Sequence, residues 1–76
     1  MDIRERIVLD PAVMGGRPCI RGTRVTVSTV IGLLAAGHER EEILSLYPYI
    51  AAEDIAAALS YAAWRLDEHE VEVAAG

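Results

Sequence analysis

The sequence predicts a mainly α fold: a short N-terminal β-arm over residues 1–27, a three-helix bundle over residues 28–70 and a frayed tail at 71–76. Three observations carry this expectation. Turn-forming dipeptides and glycines crowd the first third of the chain. From Val27 onward the apolar positions recur with a helical period. The breaks between helical stretches are only a few residues long, as in compact trihelical bundles, the architecture shared by helix-turn-helix domains.

Each element has its own signal. Ile7-Val8-Leu9 is a β-branched apolar run stopped by Asp10-Pro11, and reads as a strand. Gly15-Gly16 breaks the chain, since paired glycines permit positive φ. Pro18-Cys19-Ile20 is the return strand, with proline at its first position. Gly22-Thr23-Arg24 is a further turn, and Val25-Thr26-Val27 adds a brief extended piece. This arm is expected to hold little core of its own. Val27, Val30, Ile31 and Leu34 then share one face of a first helix, capped by Thr26 or Ser28 and ended by Gly37. A second helix spans about Glu39 to Leu46, with Ile43, Leu46 and Tyr47 inward, and Pro48 stops it. A third runs from about Ala52 to Glu68, with Ile55, Leu59, Ala62 and Leu66 as its buried stripe. Glu53 and Asp54 in its first turn suit the helix dipole.

Composition narrows the functional classes. A chain of 76 residues is one domain with a marginal core, worth roughly 3–5 kcal/mol unless something staples it. Cys19 is the single cysteine, so no internal disulfide forms, and His38 and His69 have no ligand-spaced partners for a structural metal. Oligomerisation or a partner protein is the remaining staple, and an apolar fraction of 53% supplies surface for it. No apolar run approaches the roughly 20 residues that span a bilayer, and the charged opening residues do not read as a targeting segment, so a cytoplasmic setting is expected. Charge is uneven. Residues 1–24 carry five arginines against three acids, and residues 25–76 carry two against nine. Lysine is absent, so every fixed positive charge is a guanidinium fork suited to carboxylate or phosphate.

The run from Asp10 to Val25, with Gly15-Gly16-Arg17-Pro18 and Arg21-Gly22-Thr23-Arg24 inside it, resembles the signature of the domain of unknown function 433. So do Leu34-Ala35-Ala36-Gly37, Glu42-Ile43-Leu44, Tyr47-Pro48 and the stretch from Glu53 to Ala62. The resemblance extends from about Ile7 to Trp64. It implies a β-arm followed by a homeodomain-like three-helix fold. It also implies an antitoxin role beside a PIN-like ribonuclease toxin. The chain departs from the family pattern at helix starts. Glu39 and Ala51 stand where Ser or Thr is common, a loss worth about 1 kcal/mol per cap, so these ends are expected to fray. Thr26 stands where proline is common, which leaves the start of the first helix less rigid.

No catalytic constellation is legible. Cys19 has no neighbouring histidine, and the acidic pairs Glu41-Glu42 and Glu53-Asp54 sit at helix starts for dipole reasons. The glycine segment lacks the Lys-Ser/Thr ending of a phosphate loop. No cofactor and no metal are implied, and the chain reads as a binding module rather than an enzyme. A DNA-reading third helix would present Glu53, Ala56, Ala57, Ser60 and Tyr61, which are poor partners for phosphate. Arg17, Arg21 and Arg24 are the candidate contacts, either with operator DNA or with a carboxylate cluster on a toxin. Alternatively they are solvated or pair with Asp10 inside the arm. The acidic segment Glu68 to Gly76 is a second candidate toxin contact. Tyr61 and Trp64 are the candidate homodimer interface, while Tyr47 and Tyr49 flank Pro48 and close the core. The expected function is that of an antitoxin that inhibits a PIN-like ribonuclease, with autoregulation of its operon. A stand-alone helix-turn-helix regulator and a structural dimerisation module are the alternatives.

Overall fold

The structure, a computed structural model, describes residues 2–68. In chain order the elements are helix α1 (Ile3–Arg6), strand β1 (Ile7–Leu9), a 3-10 turn (Met14–Gly16), strand β2 (Pro18–Ile20), and helices α2 (Val27–Ala35), α3 (Arg40–Leu46) and α4 (Ala52–Glu68). The fold is therefore mainly helical, with a two-stranded antiparallel sheet near the N-terminus. Among the described residues, no helix is long and apolar enough to cross a membrane.

The strands pair in the register Ile7 to Ile20, Val8 to Cys19 and Leu9 to Pro18. Their connecting loop is organised by Asp10, whose Oδ1 accepts the Ala12 N–H at 2.9 Å. Met14, Gly15 and Gly16 follow with φ of 50°, 67° and 83°. Left-handed backbone costs a residue with a Cβ roughly 1–2 kcal/mol, which is the physical reason for the glycine pair.

Sequence reading missed α1. One turn of helix is too short to show a period. It is held at both ends by its neighbours: Asp2 Oδ1 accepts the Arg4 N–H at 2.9 Å, and the carbonyls of its last turn are covered by Arg21. The expectation that the arm holds little core is corrected as well. Ile7, Cys19, Ile20 and Val25 are buried together with Val27, Val30, Ile43, Ile50, Ile55, Ala57 and Ala58. Helix α1 and β1 pack on α4, and β2 packs on α2. The arm is one wall of a shared core.

The helix ends have identifiable caps. Thr26 Oγ1 accepts the Thr29 N–H at 3.0 Å and exchanges a hydrogen bond with the Thr29 hydroxyl at 2.7 Å. The hydroxyl thus fixes the start of α2 without proline. Helix α2 ends at Gly37, φ 96°. The Gly37 N–H donates to Leu34 and the His38 N–H to Leu33, the two bonds of a Schellman closure. Helices α3 and α4 lack a Ser/Thr cap, yet each has its third residue reach back. Glu42 Oε1 accepts the Glu39 N–H at 2.9 Å, and Asp54 Oδ2 accepts the Ala51 N–H at 2.8 Å. This is the bond from the third residue to the N-cap in a capping box, present at both helix starts that lack a Ser or Thr, Glu39 and Ala51.

The Glu39 N–H, and then the His38 ring, hold the Glu42 carboxyl below the usual glutamate range. A carboxylate with a depressed folded pKa adds stability above the unfolded value, and that contribution is lost as pH falls through the folded value. An NMR titration should place Glu42 below the ordinary glutamate value. A Glu42 value at that of a free glutamate would show that the cap does not persist in solution.

Four inward assignments are corrected: Leu46, Tyr49, Leu59 and Leu66 are exposed. Leu46 is exposed, and Ile50, past the turn at Pro48, is buried in the core instead. On α4, Ile55 is buried, but Leu59 is 37% and Leu66 72% exposed, whereas Ala57 and Ala58 are sealed. Small residues, rather than the large ones in the periodic stripe, face the closest neighbours. Tyr49, expected to close the core, is also exposed and meets Tyr47 edge-on at 6.2 Å.

Candidate functional site

The three arm arginines do three different things. Arg21 is exposed but lies along the backbone: its guanidinium donates to the carbonyls of Glu5 at 2.7 Å and Arg4 at 2.8 Å. Its own N–H donates to the carbonyl of Arg6 at 2.7 Å. One residue thus covers three successive carbonyls at the end of α1, where a cation also suits the dipole. Arg21 is a structural cap. Arg17 and Arg24 are exposed, and neither makes an ion pair or side-chain hydrogen bond with another described residue. Asp10 pairs with none of them, since its carboxylate is spent on the loop backbone.

Arg17 leaves the Met14–Gly16 turn in extended conformation, φ −67° and ψ 146°. It lines a shallow groove with Pro18, Ile31, Tyr61, Ala62 and Leu66. A larger groove lies on the other side of Tyr61 and Arg65, floored by Ile3 and Ile7 and walled by Leu9 and Trp64. Tyr61 is half-buried and Trp64 is 51% exposed, and their rings meet at 5.9 Å with a 54° tilt. Leu9, at 59%, and Leu66 add exposed apolar surface on either side. Arg17 and Trp64 therefore line separate grooves that share Tyr61, and Arg21 and Arg24 line neither.

The third-helix surface also differs from expectation. Ala57 is fully buried and Tyr61 half-buried, so the outward residues are Glu53, Leu59 and Ser60. That surface is acidic and apolar. Among the described residues no group of three or more His, Cys, Asp or Glu could hold a metal ion. Residues 69–76, most of the segment expected as a second toxin contact, lie outside the described residues.

Sequence reasoning missed one ion pair that positions this face. Arg6 donates to Asp54 Oδ1 at 2.9 Å, with the Asp54 side chain only 13% exposed. It ties the arm to the start of α4 across 48 residues of sequence, a separation at which spacing carries no signal. Leu9 and Leu66 were legible as apolar positions, but not as exposed ones.

Comparison with known proteins agrees with this architecture. Uncharacterized protein y4eO of Sinorhizobium fredii is 44% identical over 59 residues, which is 78% of this chain and 27% of that protein. The crystal structure of a DUF433 member from Anabaena variabilis ATCC 29413 superposes with a TM-score of 0.79 at 33% identity, over 87% of this chain and 65% of that one. The chain thus spans under a third of the first relative and under two thirds of the second. The matching family model runs from the first strand into the last helix, over residues 7–62, and the chain belongs to that family, the proteins of unknown function DUF433.

Proposed function

We propose that the chain is an antitoxin-like binding module that pairs with and inhibits a PIN-like ribonuclease, with α2, α3 and α4 as a homeodomain-like, helix-turn-helix trihelical unit. The observation that carries the binding role is the groove in which Arg17, with no ion pair among the described residues, stands beside the half-buried Tyr61 and the exposed Leu66, with the exposed Trp64 ring against the far side of Tyr61. A domain with so small a core gains stability by covering such a surface. The identity of the partner rests on the family resemblance. Of the three arm arginines, Arg17 is best placed to meet carboxylates on that partner.

The test is co-expression with the adjacent reading frame, read by growth and by co-purification. Arg17→Ala should weaken neutralisation and leave the melting temperature unchanged. Arg21→Ala should lower the melting temperature, because the end of α1 loses its cap. Full neutralisation by Arg17→Ala at matched protein level would refute the role of that side chain. Lack of any growth rescue or co-purification by the unaltered chain would refute the antitoxin reading.

The second reading, a free-standing operator-binding regulator, draws on the exposure of Arg17 and Arg24. It requires promoter DNA to be shifted by this chain alone, with affinity falling steeply with salt.

A further inference from the structure

Helix α1 is anchored unlike the other helices. None of its residues is buried. Asp2 and Arg4 spend their side chains on each other, and the Glu5 N–H donates to the Asp2 carbonyl. Those bonds shape residues 2–5 without tying them to the rest of the molecule. Across to the rest of the described chain run the two bonds from the Arg21 guanidinium to the Arg4 and Glu5 carbonyls, both at exposed positions. The Ile7 N–H donates to the Ile3 carbonyl, and Ile3, half-buried, packs against the core. One residue further on the anchoring changes. Arg6 places its guanidinium on Asp54 at 2.9 Å, and its carbonyl accepts the Arg21 N–H at 2.7 Å. From Ile7 onward the chain is strand and core. A weakly tied segment thus ends at a firmly held residue, where a hinge belongs.

We infer that residues 2–5 form a strap, hinged at Arg6 and latched by Arg21, that opens while the hairpin and helices α2, α3 and α4 stay folded. Few buried apolar contacts and solvent-exposed hydrogen bonds mark the segments that open well below the free energy of global unfolding. Opening breaks the two guanidinium bonds and the bond from Ile7 to Ile3. It leaves the Arg6–Asp54 pair and the backbone bond from Arg21 to Arg6 in place. The latch is an exposed guanidinium on neutral acceptors, and water replaces such acceptors at small net cost. Ile3 and Arg4 line the larger groove together with Ile7, Tyr61 and Trp64. The strap therefore gates that groove, and Arg21, which lines neither groove, controls the gate from outside. The inference stands independently of the antitoxin reading.

Amide hydrogen exchange of the native full chain, followed by NMR, tests the strap. The Ile7 N–H is released when the strap opens, whereas the Arg21 N–H is bonded on the fixed side of the hinge. Once intrinsic rates are allowed for, the Ile7 N–H should exchange at least about tenfold faster than the Arg21 N–H. Ile43→Val trims a fully buried residue of α3. It should speed the slowest-exchanging helix amides about fivefold by favouring global unfolding. It should leave the Ile7 rate unchanged, because the open and closed strap share the same core. Arg21→Ala should speed Ile7 exchange about tenfold. Ile7 exchanging at the rate of the Arg21 N–H would mean that the segment opens only with the hairpin, and would overturn the inference. Equal acceleration of Ile7 and the slowest helix amides by Ile43→Val would overturn it as well, since the segment would then open only with the whole domain. An Ile7 rate unmoved by Arg21→Ala would remove the latch, and the inference with it.

Discussion

Ile20→Ala should unfold the whole domain, helices included. Ile20 lies on β2, is 2% exposed, and donates its N–H to the Val25 carbonyl at 2.9 Å. Truncating a buried isoleucine to alanine costs about 2–5 kcal/mol. The entire stability of a domain this size is about 3–5 kcal/mol, so the loss is comparable to the total. Far-UV circular dichroism of the variant at room temperature should show most of its helical signal gone, although the mutation lies outside every helix. Ile20→Val, which costs about 0.5–1.5 kcal/mol, should remain folded with a lower melting temperature. Retention of the full helical signal by Ile20→Ala would mean that the arm is an appendage. The burial of Ile7, Ile20 and Val25 in one cluster with residues of α2 and α4 argues for the opposite.

Asp54→Ala should be the most damaging substitution at a partly exposed position. Its two carboxylate oxygens have separate tasks: Oδ1 receives Arg6, and Oδ2 receives the Ala51 N–H that opens α4. Removing the side chain leaves a guanidinium and a helix N–H without their acceptor at once. Hydrogen bonds to charged groups contribute about 1.5–3 kcal/mol. Arg6 is more exposed than Asp54, at 35% against 13%, and solvent can take over its half of the pair. Arg6→Ala should therefore cost only about 1 kcal/mol. Asp54→Asn keeps an acceptor for the cap and should fall between the two. Urea unfolding of these three variants and of the double alanine variant measures the coupling directly. Equal costs for Arg6→Ala and Asp54→Ala would show that the cap at Ala51 contributes nothing.

Local chemistry made much of the fold legible. The strands at Ile7–Leu9 and Pro18–Ile20 were readable because turn dipeptides bound them. The limits of α2 followed from the Thr26 hydroxyl and from Gly37, and the end of α3 from Pro48. What stayed hidden depends on contacts between distant parts of the chain. Helix α1 exists because Arg21 folds back onto its carbonyls, and no period could reveal a single turn. The buried stripe of α4 was misread because large apolar residues mark a helical face but do not say which face is covered. Ala57 and Ala58 are buried because neighbouring elements come close there, whereas Leu66 lies past that contact. The site was half legible. Arg17, Tyr61 and Trp64 stood out by residue type, but the sequence could not distinguish Arg17, turned outward, from Arg21, consumed by the backbone.

The position of Cys19 has a practical consequence. Its thiol is 1% exposed and donates to the Arg17 carbonyl at 3.3 Å, in the middle of β2. A buried cysteine of this kind is chemically inert until its strand opens. Because it is the only one in the chain, alkylation reads a single event, the parting of the hairpin. The rate at which a thiol reagent modifies the native protein therefore acts as a clock for that opening. If the clock runs at the pace of the slowest-exchanging helix amides, strand and helices open together. If it runs faster, the hairpin breathes while the helices hold.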